Sequence, residues 1–142
     1  MKSFFIAICL IGYGLTNREI KAVAEPGNGI TGKWEAILAA RDLNGNKILD
    51  ANERAAGVAL HYFYNFNADS SFLFNAISNA APGMKGRYTV TKENNKDKLT
   101  IYRIDKGVLK QDAVYYIQSL SQQELVLLDI KSQSRFFIFK RS

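Results

Sequence analysis

The sequence from Arg87 to Arg103 is RYTVTKENNKDKLTIYR, and this stretch decides the fold class. Two runs rich in β-branched and aromatic residues, 87–91 and 99–103, flank a polar segment at 92–97. Such runs favour β-strands, and a short polar segment between two of them favours a turn. The stretch therefore predicts a β-hairpin.

The same succession of strand and short turn continues in both directions along the chain. Closing eight such strands on themselves removes the exposed sheet edges and gives a small barrel. We therefore predict an all-β fold: an eight-stranded antiparallel up-and-down barrel with a short helix after the first strand, within 50–60. The predicted strands are Gly32–Leu38, His61–Phe66, Ser71–Ile77, Arg87–Thr91, Leu99–Arg103, Val114–Leu120, Leu125–Ile130 and Arg135–Lys140.

The N-terminus has the pattern of a secretory signal peptide. Lys2 precedes the apolar run Phe4–Leu15, and Ala22-Val23-Ala24 fits the small-x-small rule for cleavage after Ala24. The run is too short to span a bilayer as a helix, and the alternative is that it is a buried strand or helix. We expect a protein exported to the periplasm or beyond the cell. The predicted organisation is a signal peptide at 1–24, a flexible lead at 25–31 and a barrel domain at 32–142.

The composition argues against several kinds of chemistry. Cys9 is the only cysteine and would leave with the signal peptide, so the mature chain would have no disulfide and no cysteine nucleophile. His61 is the only histidine, which argues against a Ser-His triad, and the acidic residues fall mainly in turns. The basic residues are scattered rather than set in a stripe with aromatic residues, as a nucleic-acid surface would need. We expect neither an enzyme nor a nucleic-acid-binding protein.

A twelve-residue stretch after the first strand has the ligand spacing of an EF-hand-type calcium loop. Its sixth position is Lys47, where calcium loops have glycine for a turn at positive φ. Two interpretations are therefore open: a weak calcium site that stiffens the barrel rim, or a turn whose polar side chains cap backbone groups at the start of a helix. The candidate calcium ligands are Asp42, Asn44, Asn46, the Ile48 carbonyl, Asp50 and Glu53.

The first and last predicted strands resemble those of a known family. Gly32-Lys33-Trp34 is similar to the Gly-x-Trp signature on the first strand of lipocalins, and Arg141 follows the last strand as a basic residue does there. The strand count agrees, and the chain looks most like small bacterial lipocalin-like domains. The resemblance implies that Trp34 packs inside the closed end of the barrel with Arg141 across it, or with Lys140 in its place. It also implies a non-enzymatic protein that binds a small hydrophobic molecule.

The aromatic residues leave the state of the barrel interior open. An eight-stranded barrel either fills its interior with side chains or keeps room for one small ligand. In the second case, inward tyrosine hydroxyls would orient the ligand, and the candidate ligand-binding residues are Tyr64, Phe74, Tyr88, Tyr102 and Tyr116. In the first case, an aromatic outer face would dock another envelope protein. Either way we expect a monomer that does not span a membrane.

Overall fold

The structure is a computed structural model that describes residues 29–76, 83–132 and 134–142. Eight antiparallel strands close into a barrel in sequence order, so the predicted fold class is confirmed. The predicted signal peptide lies outside the described residues. The strands are β1 (Gly32–Arg41), β2 (Val58–Phe66), β3 (Ser71–Ala76), β4 (Met84–Glu93), β5 (Lys96–Asp105), β6 (Val108–Leu120), β7 (Glu124–Asp129) and β8 (Arg135–Arg141), with a short helix α1 (Ala51–Ala55) between β1 and β2.

The hairpin of β4 and β5 has a tighter turn than the predicted polar segment at 92–97. Its strands pair from Gly86–Arg103 to Glu93–Lys96, which leaves only Asn94 and Asn95 as the turn. Both asparagines have positive φ, 51° and 61°, as a two-residue turn that matches the strand twist requires. Charged residues at the end of the hairpin extend the strands because their side chains reach solvent from either face.

The helix is shorter than predicted. It ends at Ala55, and Gly57 separates it from β2, whose first residues Val58 and Ala59 pair with β1. The prediction extended the helix toward Leu60 because residues 51–60 are rich in alanine. Tertiary pairing overrides that propensity, since β1 extends to Arg41 and offers a free edge to the residues that follow Gly57.

The interior of the barrel holds the main core. Seven strands contribute buried side chains, with Ile30 at one end, and β6 adds partly buried side chains such as Tyr115. The buried residues are Ile30, Trp34, Ala36, Tyr64, Phe66, Phe72, Tyr88, Leu99, Ile101, Leu125, Leu127 and Phe139. Ile30 belongs to the lead that we predicted to be flexible, yet only 1% of it is exposed. The end of the lead is therefore part of the packed structure.

A second apolar cluster lies on the outer face of β1, β7 and β8. It contains Ala40, Val126, Leu128, Phe136 and Ile138, and Leu49 packs against it from residues 42–57, which we call the insertion. The insertion is tied to β7 by a two-pronged ion pair in which Arg54 donates to Glu124 at 2.8 and 3.0 Å. This explains why the last strand is apolar on both faces: one face fills the barrel and the other lies under the insertion.

Candidate functional sites

The two ends of the barrel are built differently. One end, which we call the Trp34 end, is filled by Trp34, whose indole Nε1 donates to the Ile30 carbonyl oxygen at 2.7 Å. The guanidinium carbon of Arg141 lies 4.1 Å from the centre of the Trp34 ring system. The Arg141 side chain donates to the carbonyl oxygens of Gln122, Thr31 and Gly29, at 2.8, 2.7 and 3.1 Å. These contacts join the lead and the β6–β7 turn across the Trp34 end.

The opposite end of the barrel, which we call the insertion end, is less tightly filled. Several large inward-facing side chains toward that end pack against the core but are only partly buried: Tyr62, Phe74, Met84, Tyr115 and Phe137. The aromatic rings contact others on nearby strands, with centroids 5.2 Å apart for Tyr62 on β2 and Phe74 on β3, and 5.8 Å apart for Tyr115 on β6 and Phe137 on β8. These large apolar side chains face inward and are still partly exposed to solvent. They therefore border accessible space inside the barrel.

The structure brings together three of the five residues predicted to bind a ligand. Tyr64, Phe74 and Tyr88 face the interior core. Tyr102 and Tyr116 lie on the outer face, so their assignment to an interior site is wrong. Side chains alternate between the two faces of a strand. In a run of consecutive apolar residues, an assignment that is off by one residue therefore selects a side chain on the wrong face.

The outward positions of the two misassigned tyrosines follow from the strand register. Tyr102 pairs with the exposed Arg87, while its neighbour Ile101 pairs with the inward Tyr88. The Tyr116 hydroxyl donates to the Glu93 carboxylate at 3.0 Å, on the outside of the barrel.

Two interior tyrosines, Tyr62 and Tyr115, were missed by the sequence prediction. Tyr62 is two residues from Tyr64, so strand alternation could have placed both on one face. Tyr115 precedes the misassigned Tyr116, and only the pairing of Tyr115 with the buried Leu99 shows which of the two faces inward. The sequence carries no signal for that pairing, because a β-bulge shifts the β5–β6 register between Ile101 and Tyr102.

The interior tyrosine hydroxyls differ in their hydrogen bonds. The Tyr88 hydroxyl donates to the Asn67 carbonyl oxygen at 2.7 Å. The hydroxyls of Tyr62, Tyr64 and Tyr115 make no hydrogen bond to the part of the chain that the structure describes. Within that part, Thr31 Oγ1 is the one unpartnered side-chain polar atom shielded from solvent. The three hydroxyls therefore border space that water can reach.

The surroundings of these three hydroxyls favour their neutral form. Burial raises the pKa of each phenol, to about 12 for Tyr115. The Asp129 and Asp112 carboxylates raise the pKa of Tyr115 further, and Asp112 acts on Tyr64 as well. Arg103, the basic partner of Asp112, lies 3.8 Å from it. Carboxylates thus act on Tyr64 and Tyr115, whereas the pKa of Tyr62 is raised by burial and by its neighbour Tyr115.

The candidate calcium loop is wrapped by its own hydrogen bonds. The Asp42 carboxylate accepts from the backbone N–H groups of Gly45 and Lys47, at 2.8 and 2.9 Å. The Asn46 side-chain oxygen accepts from Ile48 N–H at 2.7 Å, and the Asn44 side-chain oxygen accepts from Asn46 N–H at 3.0 Å. Lys47 has a φ of 60°, the left-handed conformation in which calcium loops place glycine.

Glu53 joins the beginning and the end of the loop. Its carboxylate is buried, with 1% of the residue exposed, and accepts from Leu43 N–H at 2.7 Å and from Asp50 N–H at 3.0 Å. Asp50 in turn accepts from Glu53 N–H at 2.9 Å, so the two residues form a capping box at the start of α1. These contacts are those of the capped-turn interpretation.

The donor set nevertheless suits calcium. Each carboxylate or amide oxygen of these side chains has two lone pairs and accepts one hydrogen bond, so a lone pair remains on each for a hard cation. No group of three His, Cys, Asp or Glu side chains arranged to hold a metal occurs in residues 29–76, 83–132 and 134–142. A calcium ion would therefore depend on the asparagine oxygens and the Ile48 carbonyl as well as on the acids.

Two pockets lie beside the insertion and away from the interior tyrosines. One, of about 140 Å³, is lined by Ala39, Arg41, Leu43, Ala56 and Val58. The other, of about 380 Å³, is polar and open and is lined by Arg41, Asp42, Leu43, Ser134 and Arg135. The first is smaller than the roughly 300–1,000 Å³ typical of ligand sites.

Comparison of the chain with protein-family models, with curated proteins and with solved structures finds no match. Among the described residues, no helix has the length and apolar character needed to cross a bilayer. The class that the structure defines is a closed eight-stranded antiparallel barrel with an insertion after its first strand.

Proposed function

We propose that this chain is an exported, non-enzymatic, lipocalin-like protein that binds a small hydrophobic molecule inside its barrel. The observation that carries the proposal is the difference between the two ends of the interior. Trp34 and Arg141 plug one end, whereas the inward aromatic side chains toward the insertion end are only partly buried. Large apolar side chains around accessible space are what a hydrophobic ligand needs.

Filling the interior tests this proposal. Ala113 faces the interior core, whereas its neighbour Val114 lies on the other face of β6. We expect the uncharged fluorescent probe N-phenyl-1-naphthylamine to bind the unmodified protein, the variant Ala113→Phe to lose that binding, and Val114→Phe to keep it. Equal binding to both variants would place the probe outside the barrel, against the proposal. Native mass spectrometry of protein from its own host would then identify the bound molecule.

Export is part of the proposal and is supported by the sequence pattern of residues 1–24. Protein recovered from its own host should begin at Glu25, because cleavage follows Ala24. N-terminal sequencing of the recovered protein checks this. An intact Met1 in a cytoplasmic fraction would contradict it.

We also propose that the insertion binds calcium weakly, through Asp42, Asn44, Asn46, the Ile48 carbonyl, Asp50 and Glu53. Its support is the oxygen donor set and the left-handed conformation of Lys47 at the glycine position of a calcium loop. With only three carboxylates, the affinity should be in the range of about 10⁻⁴–10⁻³ M found for extracellular modules. The ion would stiffen the insertion and take no part in holding the ligand.

The second candidate is an interaction module that docks another envelope protein. It is favoured by the exposed tip of the β5–β6 hairpin, where Ile104, Val108 and Leu109 are 50, 58 and 48% exposed. Exposed apolar residues grouped at one place are typical of docking surfaces. Cross-linking in the host with the double variant Val108→Lys, Leu109→Lys distinguishes the two candidates, since ligand binding should survive these changes and docking should not.

A further inference from the structure

The three interior tyrosine hydroxyls without a hydrogen bond define the chemistry of a ligand, if the barrel binds one as proposed above. A hydroxyl in an apolar interior loses free energy unless it finds a partner. At the Trp34 end, Tyr88 has such a partner in the Asn67 carbonyl oxygen. Tyr62, Tyr64 and Tyr115 have none among the described residues, although Tyr64 is only 6% exposed.

These three hydroxyls belong to one site. Tyr62 and Tyr64 lie two residues apart on β2, with ring centroids 5.9 Å apart and their planes nearly perpendicular. Tyr115 comes from β6 and packs against the same interior cluster, with its ring centroid 5.8 Å from that of Phe137. Phe74 and Phe139 contact the β2 tyrosines, so the hydroxyls are set within an apolar wall.

The charges around this site argue against an anionic ligand group. Asp129 of β7 is the register partner of Tyr115, and Asp112 lies three residues before Tyr115 on β6. Both carboxylates raise the pKa of Tyr115. Arg103 is the basic side chain next to Asp112 and forms an ion pair with it at 3.8 Å. The donors of Arg141 are engaged with carbonyl oxygens at the Trp34 end. A carboxylate placed among the three phenols would be repelled by Asp112 and Asp129.

We infer that the hydroxyls of Tyr62, Tyr64 and Tyr115 hydrogen-bond an uncharged oxygen group, a hydroxyl or a carbonyl, at the buried end of an otherwise apolar ligand. A phenol can both donate and accept, so it suits either group. The ligand would enter from the insertion end with its oxygen leading. Its apolar part would lie against the partly buried rings of Phe74 and Phe137.

Displacement of bound N-phenyl-1-naphthylamine by two molecules of equal chain length tests this inference. At neutral pH decanol is uncharged and decanoate is ionised. We expect decanol to displace the probe at a concentration at least about tenfold lower than decanoate, which corresponds to about 1.4 kcal/mol. Decanoate should approach decanol as acidification neutralises it.

The matched variants remove hydroxyls without removing rings. In the triple variant Tyr62→Phe, Tyr64→Phe, Tyr115→Phe, decanol should bind at least about tenfold more weakly, since each lost hydrogen bond weakens binding by roughly 2–10-fold. Probe binding should not weaken, and circular dichroism should show the same β-structure. The control Tyr102→Phe, which removes a hydroxyl on the outer face of the barrel, should leave the ratio of decanol to decanoate affinity unchanged.

The outcomes separate this inference from the proposed function. If the probe does not bind the unmodified protein, the proposed function fails and the inference fails with it. If the probe binds but decanoate competes as well as decanol, or the triple variant keeps its affinity for decanol, only the inference is overturned. A triple variant that keeps its affinity for decanol would place the polar group of the ligand at the insertion end, where Arg41 of β1 and Arg135 of β8 are neighbours in the strand register.

Discussion

At the scale of single residues, three side chains near the chain ends explain the Trp34 end of the barrel. Gly32 has a φ of 124°, and a Cβ atom there would lie 2.5 Å from Nη1 of Arg141. Glycine is therefore required for the guanidinium to approach the backbone and reach the Thr31 carbonyl oxygen. Trp34 fills the end of the barrel, and Arg141 donates hydrogen bonds to the carbonyl groups above it. The short Gly-x-Trp pattern and the distant arginine therefore form one structural unit.

Substituting Trp34 by alanine should destabilise the protein by about 3–5 kcal/mol, because it leaves a cavity at a position with no exposed surface and removes the hydrogen bond to Ile30. Urea unfolding of the variant measures the loss. Phe63→Ala, on the outer face of β2 where Lys33 covers the ring, is the control and should cost clearly less. A loss within about 0.5 kcal/mol for Trp34→Ala, typical of surface sites, would contradict the packing described here.

At the scale of elements, the insertion decides what happens to the outer face of the barrel. Phe136 and Ile138 of β8 have no exposed surface, since they belong to the outer cluster against which Leu49 of the insertion packs. In the sequence-based alternative of a filled interior, an aromatic outer face would dock another envelope protein. The capping box of Asp50 and Glu53 and the ion pair of Arg54 with Glu124 hold the insertion in place.

Calcium should raise the melting temperature if the insertion binds it. At about a hundred times the Kd, the gain in the free energy of unfolding would be ~2.7 kcal/mol. Magnesium should do much less, because it requires a tighter octahedron and keeps its waters. The variant Asp42→Asn should lose the calcium effect, while Asp105→Asn, an acid outside the insertion that pairs with Lys110, should keep it.

Glu53→Gln separates the two interpretations of the insertion. It weakens the hydrogen bonds to Leu43 and Asp50 and should destabilise the protein by about 1–3 kcal/mol even without calcium. If calcium leaves the melting temperature of the unmodified protein unchanged while Glu53→Gln is destabilising, the insertion is a capped turn and the calcium proposal is wrong.

At the scale of the whole molecule, closure of the barrel creates an interior that titrates differently from its surface. Tyr62, Tyr64 and Tyr115 have raised pKa values mainly because they are buried, and the pKa of Tyr115 reaches about 12 from an ordinary value of 10.0. In the unfolded chain they would ionise near 10. The folded state holds their protons above that pH, so unfolding releases protons there.

The free energy of unfolding should therefore be unaffected by these groups below about pH 10 and fall as the pH rises from 10 through about 12. Denaturant unfolding at several pH values, with tyrosinate absorbance as a second readout, measures the fall. The triple phenylalanine variant at Tyr62, Tyr64 and Tyr115 should show a shallower fall. Ionisation of these phenols near pH 10 in the folded protein would contradict their burial and would mean that water surrounds them in the interior.

The sequence by itself determined the strands and their order, because alternating runs of β-branched and aromatic residues with short polar turns have few other folds available. It also indicated the Gly32, Trp34 and Arg141 positions and the wrapped loop at 42–53. Only the tertiary structure decided which face of each strand is inside. Runs such as Phe136–Phe139 are apolar on both faces, and the bulge in the β5–β6 pair places Tyr115 inside and Tyr116 outside. Side-chain direction depends on register, and register is fixed by pairing between strands rather than by the residues of any one of them.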